Sequence, residues 1–247
     1  MYLLAVETTG AFASVALAET ELSDGKVTKF NIMARVQGHD EFSHLQNLTP
    51  QVQEVLGACG LAPADIDVIA VSCGPGSFTG IRIGVSTGRA LSQILDIPCV
   101  KVPSLEALSM RIDGGGALVC PILDARRNQV YGAGYFLEEI IEAGPYMLED
   151  FLKEVSVAGF RKVIFMGDGA DKYREEIETS GYLTEMKVDF TLEELRYQDA
   201  ETVAKLGAIL AARGKTCEYG MLEPEYMRMA EAERKLKEKQ KAEAVNG

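Results

Sequence analysis

The order of apolar and polar positions along the chain predicts strands first and a helix soon after. Three apolar runs are typical of strands and cover residues 2–7, 13–18 and 27–36. Asp24-Gly25 marks a hairpin turn between the second and third runs. From residue 45 to residue 56 the apolar positions recur at helical spacing, which predicts an amphipathic helix. Pro50 either kinks this helix or follows a Thr49 cap as the first residue of a shorter one.

The segment after this helix carries the most distinctive pattern of the chain. Residues 67–72 predict a buried strand, a loop with three glycines and one proline follows, and a helical pattern begins near Ile81. A glycine loop that leads into a helix leaves backbone N–H groups free for an anion, but it is also a common tight connection. The loop matches neither the Walker pattern nor GxGxxG, so both interpretations stay open.

The helix after the glycine loop is apolar on two faces. One face comprises Ile81, Val85, Gly88, Ser92 and Leu95, and the other comprises Ile83, Thr87, Ala90 and Ile94. Such a helix needs the sheet on one side and a second element on the other, either another helix of the same domain or a partner protein. Gly84 and Gly88 are expected to let that second element approach closely.

The second half of the chain repeats the plan of the first. The strand predicted at residues 117–123 ends at Asp124, as the first strand of the chain ends at Glu7, and a polar turn and a second strand follow in both cases. A strand at residues 162–166 then precedes Gly167-Asp168-Gly169 and another helix, like the earlier strand, glycine loop and helix. These parallels predict a duplicated α/β fold with a cleft between its two lobes.

The repeat also suggests where the lobes begin and end. A glycine-rich junction near residue 113 separates an N-terminal lobe, residues 1–113, from a C-terminal lobe, residues 114–227. The second lobe includes a helix predicted at residues 200–212. Residues 228–247 are rich in Glu, Lys, Arg and Ala, so we expect a charged tail that is helical or frayed.

Composition narrows the class of protein. Hydrophobic residues make up 47% of the chain, no apolar run is long enough to span a bilayer, and the N-terminus lacks a signal-peptide pattern. The five cysteines are scattered without a CxxC pair, which favours buried free thiols in a reducing cytoplasm. The net charge of −12 argues against a protein that grips nucleic acid unaided. We therefore expect a cytoplasmic protein that reaches any nucleic acid only through a partner, with no membrane contact.

Several segments, in order along the chain, resemble the bacterial TsaB (YeaZ) family. They are Ala5-Val6-Glu7-Thr8-Thr9, His44 with Pro50, the block GPGSFTGIRIG from Gly74 to Gly84, Pro103 to Leu108, Asp124-Ala125-Arg126 with Val130-Tyr131, Gly167-Asp168-Gly169, and Pro224 to Arg228 with Ala232-Glu233. The resemblance runs from residue 1 to about residue 235, and the GPGSFTGIRIG block is its most specific part.

This resemblance implies a fold, a function and partners. The implied fold is the duplicated actin-like ATPase fold (ASKHA, ribonuclease H-like) with two lobes. The implied role is that of a non-catalytic scaffold subunit whose N-terminal lobe pairs with the catalytic subunit TsaD, joined by the ATPase TsaE. That complex places a threonylcarbamoyl group on N6 of adenosine 37 in tRNAs that read ANN codons. In this family the isolated subunit forms a homodimer through the same surface.

The resemblance also suggests two sets of site residues. A vestigial nucleotide site is expected at Glu7, Thr8, Thr9, Gly74, Gly76, Asp124, Gly167 and Gly169. A partner interface is expected at His44, Leu45, Leu48, Val52, Ile81, Arg82, Val85, Gly88, Arg89 and Ser92. Glu7 stands where family members usually have Asp, which weakens the case for ATP binding. We expect no cofactor bound tightly by the isolated chain, with ATP or ADP and Mg²⁺ entering only in the complex.

No catalytic or metal-binding residue is predicted. His39 and His44 are five residues apart and point roughly 140° apart on a helix, so they do not form the HxxxH metal pair of a catalytic relative. The peptidase activity once suspected of the family has no nucleophile with a recognisable base here. Two alternatives to the scaffold role stay open: a nucleotide-dependent kinase or acyltransferase that acts alone, and a homodimeric binding module with no tRNA role.

Overall fold

The computed structural model describes residues 1–38 and 44–227, which form two five-stranded sheets with helices on both faces. The strands of the first sheet are β1 (Tyr2–Glu7), β2 (Ser14–Ser23), β3 (Lys26–Gln37), β4 (Val68–Gly74) and β5 (Cys99–Pro103). The strands of the second sheet are β6 (Leu118–Asp124), β7 (Gln129–Phe136), β8 (Glu138–Met147), β9 (Lys162–Met166) and β10 (Lys187–Phe190). The α-helices are α1 (His44–Cys59), α2 (Phe78–Leu95), α3 (Ser104–Ser109), α4 (Leu148–Val157), α5 (Asp168–Lys172), α6 (Arg174–Glu178) and α7 (Ala200–Ala212).

The two sheets have the same strand order, which agrees with the predicted duplication. The first sheet runs β3-β2-β1-β4-β5 and the second runs β8-β7-β6-β9-β10. In each sheet the central strand, β1 or β6, pairs antiparallel with the strand after it and parallel with the fourth strand. Glu7 and Asp124 end these central strands, so they occupy equivalent positions in the two lobes.

Helices cover both faces of each sheet because both faces are apolar. On the first sheet α1 and α2 pack over one face, while α7 packs over the face that presents the small side chains Ala5, Ala16 and Ala70. Small residues let α7 approach closely: a Cβ atom at Gly207 of α7 would lie 2.6 Å from Cβ of Ala70. On the second sheet α4, α5 and α6 cover one face and α3 covers the other.

The position of α7 corrects the predicted lobe boundaries. The chain changes sheets between β5 and β6, at the predicted junction near residue 113. However, α7 and Leu222, both assigned by sequence to residues 114–227, pack into the core of the first sheet. The end of the second half therefore returns to the first lobe, because the small residues of β1, β2 and β4 require a helix on that face. The predicted tail, residues 228–247, lies outside the described residues.

The structure confirms some of the turns, caps and elements predicted from short sequence patterns and contradicts others. The hairpin at Asp24-Gly25 is confirmed, since both residues have positive φ angles between β2 and β3. Helix α1 contains Pro50 in its interior, so the interpretation of Thr49 as an N-cap is wrong. Strand β8, helix α4 and strand β10 were not predicted from the sequence.

Candidate functional site

A cleft of about 760 Å³ lies between the lobes, where β1 and β6 end. Its walls come from the turn after β1, the glycine loop with the start of α2, and the turn after β6. The last described residues, Glu225, Tyr226 and Met227, also line it. This is where the predicted nucleotide residues should meet, so each of them tests that prediction.

Glu7 is buried in the first lobe and does not line the cleft. Its side chain is 0% exposed, and its Oε1 accepts hydrogen bonds from the backbone N–H and, at 2.6 Å, from the hydroxyl of Thr9. Its Oε2 has no hydrogen-bond partner among the described residues. Burial raises the pKa of Glu7 more than the hydrogen bonds from Thr9 and Ser72 lower it. Glu7 itself is not among the residues that line the cleft, although its partner Thr9 is.

Thr8 and Thr9 hold the end of β1 in place. The Thr8 hydroxyl donates to the Gly80 carbonyl in α2 at 2.8 Å, and it is fully buried. The Thr9 hydroxyl lies 3.5 Å from Ser72 Oγ, which in turn lies 2.8 Å from Ser104 Oγ. Of the pair, Thr9 lines the cleft while Thr8 is a link between strand and helix.

The glycines of the loop are required by neighbouring backbone. A Cβ atom at Gly74 would collide with the Glu225 carbonyl, and one at Gly76 would collide with the Thr9 carbonyl. The N–H of Ser77 already donates to that Thr9 carbonyl at 2.8 Å. This loop therefore serves mainly as a close-packed crossing of three chain segments, which favours the tight-connection interpretation over a phosphate cradle.

Asp124 is partly exposed at the cleft and is already paired. Its carboxylate accepts from Lys172 Nζ at 2.7 Å, from Tyr173 Oη at 3.0 Å and from the Arg126 N–H at 2.9 Å. Burial raises the pKa of Asp124, but these donors outweigh it and leave the pKa below its usual value. Gly167 and Gly169 pack against the Ile122 carbonyl of β6, so they too serve close contact.

The cleft also contains residues that the site prediction left out. Arg126 and Arg127 line it from the turn after β6, and both have positive φ angles. On the facing wall the ring of Tyr226 stacks on Phe78 with centroids 4.6 Å apart. The sequence shows the polar turn after Asp124, so its arginines could have been predicted. Tyr226 could not, because it reaches the cleft only through the return of the chain to the first lobe.

Six residues of the predicted partner interface lie inside the first lobe instead of on its surface. They are Leu48, Val52, Ile81, Val85, Gly88 and Ser92, all buried. Gly84 and Gly88 face the chain's own sheet, because Cβ atoms there would lie too close to Thr8 and Val71. The expectation that these glycines admit a partner is wrong, and the six buried residues do not form a docking surface.

The second apolar face of α2 has the opposite character. Ile94 is 79% exposed, Ala90 is exposed, and Ile83 and Thr87 are half-buried. Leu45 at the start of α1 is 76% exposed. We call Leu45, Ile83, Thr87, Ala90 and Ile94 the outer strip. Leu45, Ala90 and Ile94 are its exposed members, whereas Ile83 packs partly against the core of the first lobe.

Arg82 and Arg89 bind the C-terminal segment of the chain. Arg82 Nε donates to Tyr226 Oη at 2.8 Å, and its guanidinium lies 4.1 Å from the centroid of the Phe78 ring. Arg89 donates to the carbonyls of Tyr219 and Gly220 at 3.1 and 2.9 Å. These contacts position residues 219–226 along α2, which is a role the interface prediction did not include.

No group of three or more His, Cys, Asp or Glu side chains within residues 1–38 and 44–227 is arranged to hold a metal ion. His44 begins α1, while His39 lies outside the described residues. None of the helices in these ranges is long and apolar enough to cross a bilayer.

Comparison with known proteins identifies the family. TsaB of Bacillus subtilis, a tRNA threonylcarbamoyladenosine biosynthesis protein, is 31% identical over 250 residues, which cover 98% of this chain and all of that protein. TsaB of Escherichia coli is 33% identical over 142 residues, covering 56% of this chain and 57% of that protein. The chain belongs to the TsaB (YeaZ) family. This membership places it in tRNA threonylcarbamoyladenosine biosynthesis.

Two further comparisons extend this assignment. The family model for TsaD, tRNA N6-adenosine threonylcarbamoyltransferase, matches residues 41–236, so the chain is related to that transferase family. The crystal structure of a Pseudomonas aeruginosa protein, described as similar to peptidase YEAZ, superposes with a TM-score of 0.72 at 27% identity. The superposition covers 92% of this chain and 99% of that one. The actin-like, ribonuclease H-like fold that the resemblance implied is therefore confirmed.

Proposed function

We propose that this family member is a non-catalytic subunit that pairs through its outer strip with a TsaD-like transferase. The complex, joined by a TsaE-like ATPase, would act in the cytoplasm to threonylcarbamoylate N6 of adenosine 37 in tRNAs that read ANN codons. The observation that carries this proposal is the outer strip, in which Leu45 of α1 and Ala90 and Ile94 of α2 are exposed. Apolar side chains of this size in one strip are typical of a surface that another protein covers.

The cleft supports the non-catalytic part of the proposal. Glu7 is buried and does not line the cleft, and the carboxylate of Asp124 is paired with Lys172. An ATP site of this fold needs acids that reach the phosphates or their metal ion. Since neither acid is free to do so, the transfer chemistry is assigned to the partner subunit.

The net charge of the chain and its outer strip indicate how it relates to tRNA and to a second copy of itself. A net charge of −12 opposes direct contact with the phosphates of tRNA, so tRNA binding also belongs to the partner. In the absence of that partner, two copies of this chain would cover each other's outer strips in a homodimer. The homodimer and the complex with the transferase would use the same surface, so they exclude each other. Adding the transferase should therefore dissociate the homodimer.

The experiment compares two variants of the same exposure. Ile94 and Val157 are 79% and 78% exposed, and each lies in the last turn of its helix, where a lysine is favourable for the helix dipole. The purified chain is mixed with the TsaD-like subunit of its own organism, ATP and Mg²⁺, and the mass is measured by size exclusion with light scattering. We expect Ile94→Lys to lose the complex, while Val157→Lys on the second lobe retains it.

Two outcomes would contradict the proposal. If the unmodified chain stays monomeric in the presence of the transferase, the partner assignment fails. If both lysine variants bind equally well, the outer strip is not the interface, even when a complex forms.

A second candidate function has one observation in its favour. Arg126 and Arg127 line the cleft opposite the N-terminus of α2, and two guanidinium groups with a helix N-terminus suit a nucleotide phosphate. A kinase or acyltransferase acting alone would need this site. Calorimetry with ATP and Mg²⁺ tests it on the isolated chain, where tight binding that is lost on Arg126→Ala would favour it. We expect no tight binding, with ATP or ADP and Mg²⁺ entering only in the complex.

A further inference from the structure

Cys99 and Cys217 lie directly opposite each other on neighbouring chain segments. Cys99 begins β5, and Cys217 forms an isolated antiparallel bridge with it at the edge of the first sheet. The N–H of each residue donates to the carbonyl of the other at 2.8 Å. Both are free thiols in the structure.

The bridge brings the two side chains to one face. Residues paired in this way have Cα atoms about 5.5 Å apart and side chains on the same side of the sheet. A disulfide needs Cα atoms roughly 4.4–6.8 Å apart, so the backbone already meets this condition. Consistent with a shared face, Cys99 and Cys217 belong to the same hydrophobic cluster beside α2.

Closing the bond requires a small movement that the structure allows. Opposed Cβ atoms in such a pair lie about 4.5–5.5 Å apart, and a disulfide draws them to about 3.5–4.5 Å. Cys217 is half-buried between the exposed residues Thr216 and Glu218 and is held to the sheet by a single bridge. It is therefore the more movable and the more accessible partner, while Cys99 is fully buried in β5.

Cys217 is also the first residue of a segment that runs along α2. We call residues 217–227 the C-terminal strap. Arg89 binds its carbonyls at Tyr219 and Gly220, Leu222 is fully buried, and the Glu225 N–H donates to the Cys73 carbonyl at 2.8 Å. The strap ends in the cleft at Met227, so a covalent bond at its start would fasten one wall of the cleft to β5.

We propose that Cys99 and Cys217 form a redox-active pair that a low-molecular-weight disulfide converts to an intramolecular disulfide. The Cys217 thiolate attacks one sulfur of the small disulfide, which forms a mixed disulfide and releases one thiolate. The Cys99 thiolate then attacks the Cys217 sulfur and releases the second. Overall, two protein thiols lose two electrons and two protons, and one small disulfide is reduced to two thiols.

The three other cysteines are the alternative disulfide partners for Cys217. Cys73, which belongs to β4, lies near Cys217. Cys59 is half-buried at the end of α1, and Cys120 is fully buried in the second lobe. None of these three is paired with Cys217 by a backbone bridge. Burial raises the pKa of both Cys99 and Cys217, so the reaction is expected to be slow at neutral pH and faster at higher pH.

The test uses the full folded chain with oxidised glutathione at about pH 8.5, above the usual thiol pKa. After the remaining thiols are blocked, trypsin without reductant should release residues 90–101 joined to residues 216–228. The protein should lose two of its five free thiols and retain no glutathione, and its thermal midpoint should rise until reductant is added. Cys73→Ser is the matched control and should give the same joined peptides.

Three results would overturn the proposal. They are five free thiols in the treated protein, glutathione left on Cys217, or a joined pair that contains Cys59 or Cys73. A Cys217→Ser variant adds a further check, because it should keep its four thiols under the same treatment. The proposal does not depend on the transferase partnership, so failure of either leaves the other intact.

Discussion

The two lobes share one strand order, but the acids that end their central strands lie in opposite environments. Glu7 of the first lobe is buried and has a raised pKa, and one of its carboxyl oxygens has no hydrogen-bond partner among the described residues. Asp124 of the second lobe is partly exposed, is bound by Lys172 and Tyr173, and has a lowered pKa. Equivalent positions in a duplicated fold therefore do not imply equivalent chemistry, because the side chains around each position decide its charge.

The helices that follow the two glycine turns differ as well. In the first lobe α2 runs unbroken from Phe78 to Leu95 and carries four of the five residues of the outer strip. In the second lobe the corresponding stretch is divided at Tyr173 into α5 and α6, each of five residues. Only the first of these helices is long enough to offer a continuous surface to a partner. The duplication has thus left one lobe with the outer strip, which we propose as a docking surface, and the other with a paired acid at the cleft.

The largest expected effect comes from the residue that anchors α7 to the first lobe. Asp199 is 1% exposed, its Oδ2 lies 2.7 Å from Arg35 and 3.0 Å from Arg111, and its Oδ1 caps α7 by accepting from the Glu201 N–H. Asp199→Ala leaves two guanidinium groups without their buried partner, so we expect a loss of about 3–5 kcal/mol in the free energy of unfolding. Urea titration measures this loss.

Hydrogen exchange shows whether that loss is confined to one lobe. Because α7 packs on the first sheet, amides of β1 and β2 should lose protection in Asp199→Ala before those of β6 and β7. Glu201→Ala is the control, since Glu201 is exposed and lies 3.9 Å from Arg35, and it should cost less than about 1 kcal/mol. Uniform loss of protection across both sheets would contradict the assignment of α7 to the first lobe.

The next effect separates the two faces of α2. Ile81 is 2% exposed in the core, whereas Ile94 of the same helix is 79% exposed. Ile81→Ala should lower the free energy of unfolding by about 2–5 kcal/mol because it leaves a cavity, while Ile94→Ala should change it by less than about 0.5 kcal/mol. Thermal or urea unfolding of the two variants measures the difference. Equal losses would mean that the outer strip is also packed within the chain.

The sequence predicts those elements of the fold whose signal lies within a short stretch of residues. Apolar runs located β1, β4, β6 and β9, and the two apolar faces of α2 were correctly separated. Strand β8 was missed because only Ile141 of its ten residues is buried, so it has no alternating pattern. Helix α4 was missed although Leu148, Phe151, Leu152 and Val155 recur at helical spacing, so that signal was present.

The site was less accessible to sequence reasoning because it depends on contacts between distant segments. Gly88 was assigned to a partner surface, but it faces Val71 of β4, and nothing in the helical pattern tells which apolar face meets the sheet. Tyr226 reaches the cleft only because α7 returns the chain to the first lobe. Distances of this kind are set by packing, so composition and spacing do not reveal them.

The smallest expected effect tests the opposition between the two acids. Since the pKa of Glu7 is raised in the folded state, wild-type stability should fall as pH rises above about 4.3, the ordinary Glu value, and level off above the folded pKa. Glu7→Gln removes this loss, so its stability relative to wild type should increase between pH 4 and pH 7.5. The expected gain is about 1.4 kcal/mol for each unit by which the pKa is raised.

Asp124→Asn should show the reverse dependence on pH. The lowered pKa of Asp124 gives stability that is present above about 3.9, the ordinary Asp value, and is lost as pH falls through the folded pKa. The variant should therefore be less stable than wild type at pH 7.5, by less than about 1 kcal/mol because the pair with Lys172 is screened by water, and the deficit should shrink only below about pH 3.9. Urea unfolding of both variants from about pH 2.5 to pH 7.5 gives two differences that change in opposite directions with pH, that of Glu7→Gln above about pH 4.3 and that of Asp124→Asn below about pH 3.9. If they change in the same direction, the two ends of the duplicated strands are electrostatically alike, and the contrast drawn between Glu7 and Asp124 is wrong.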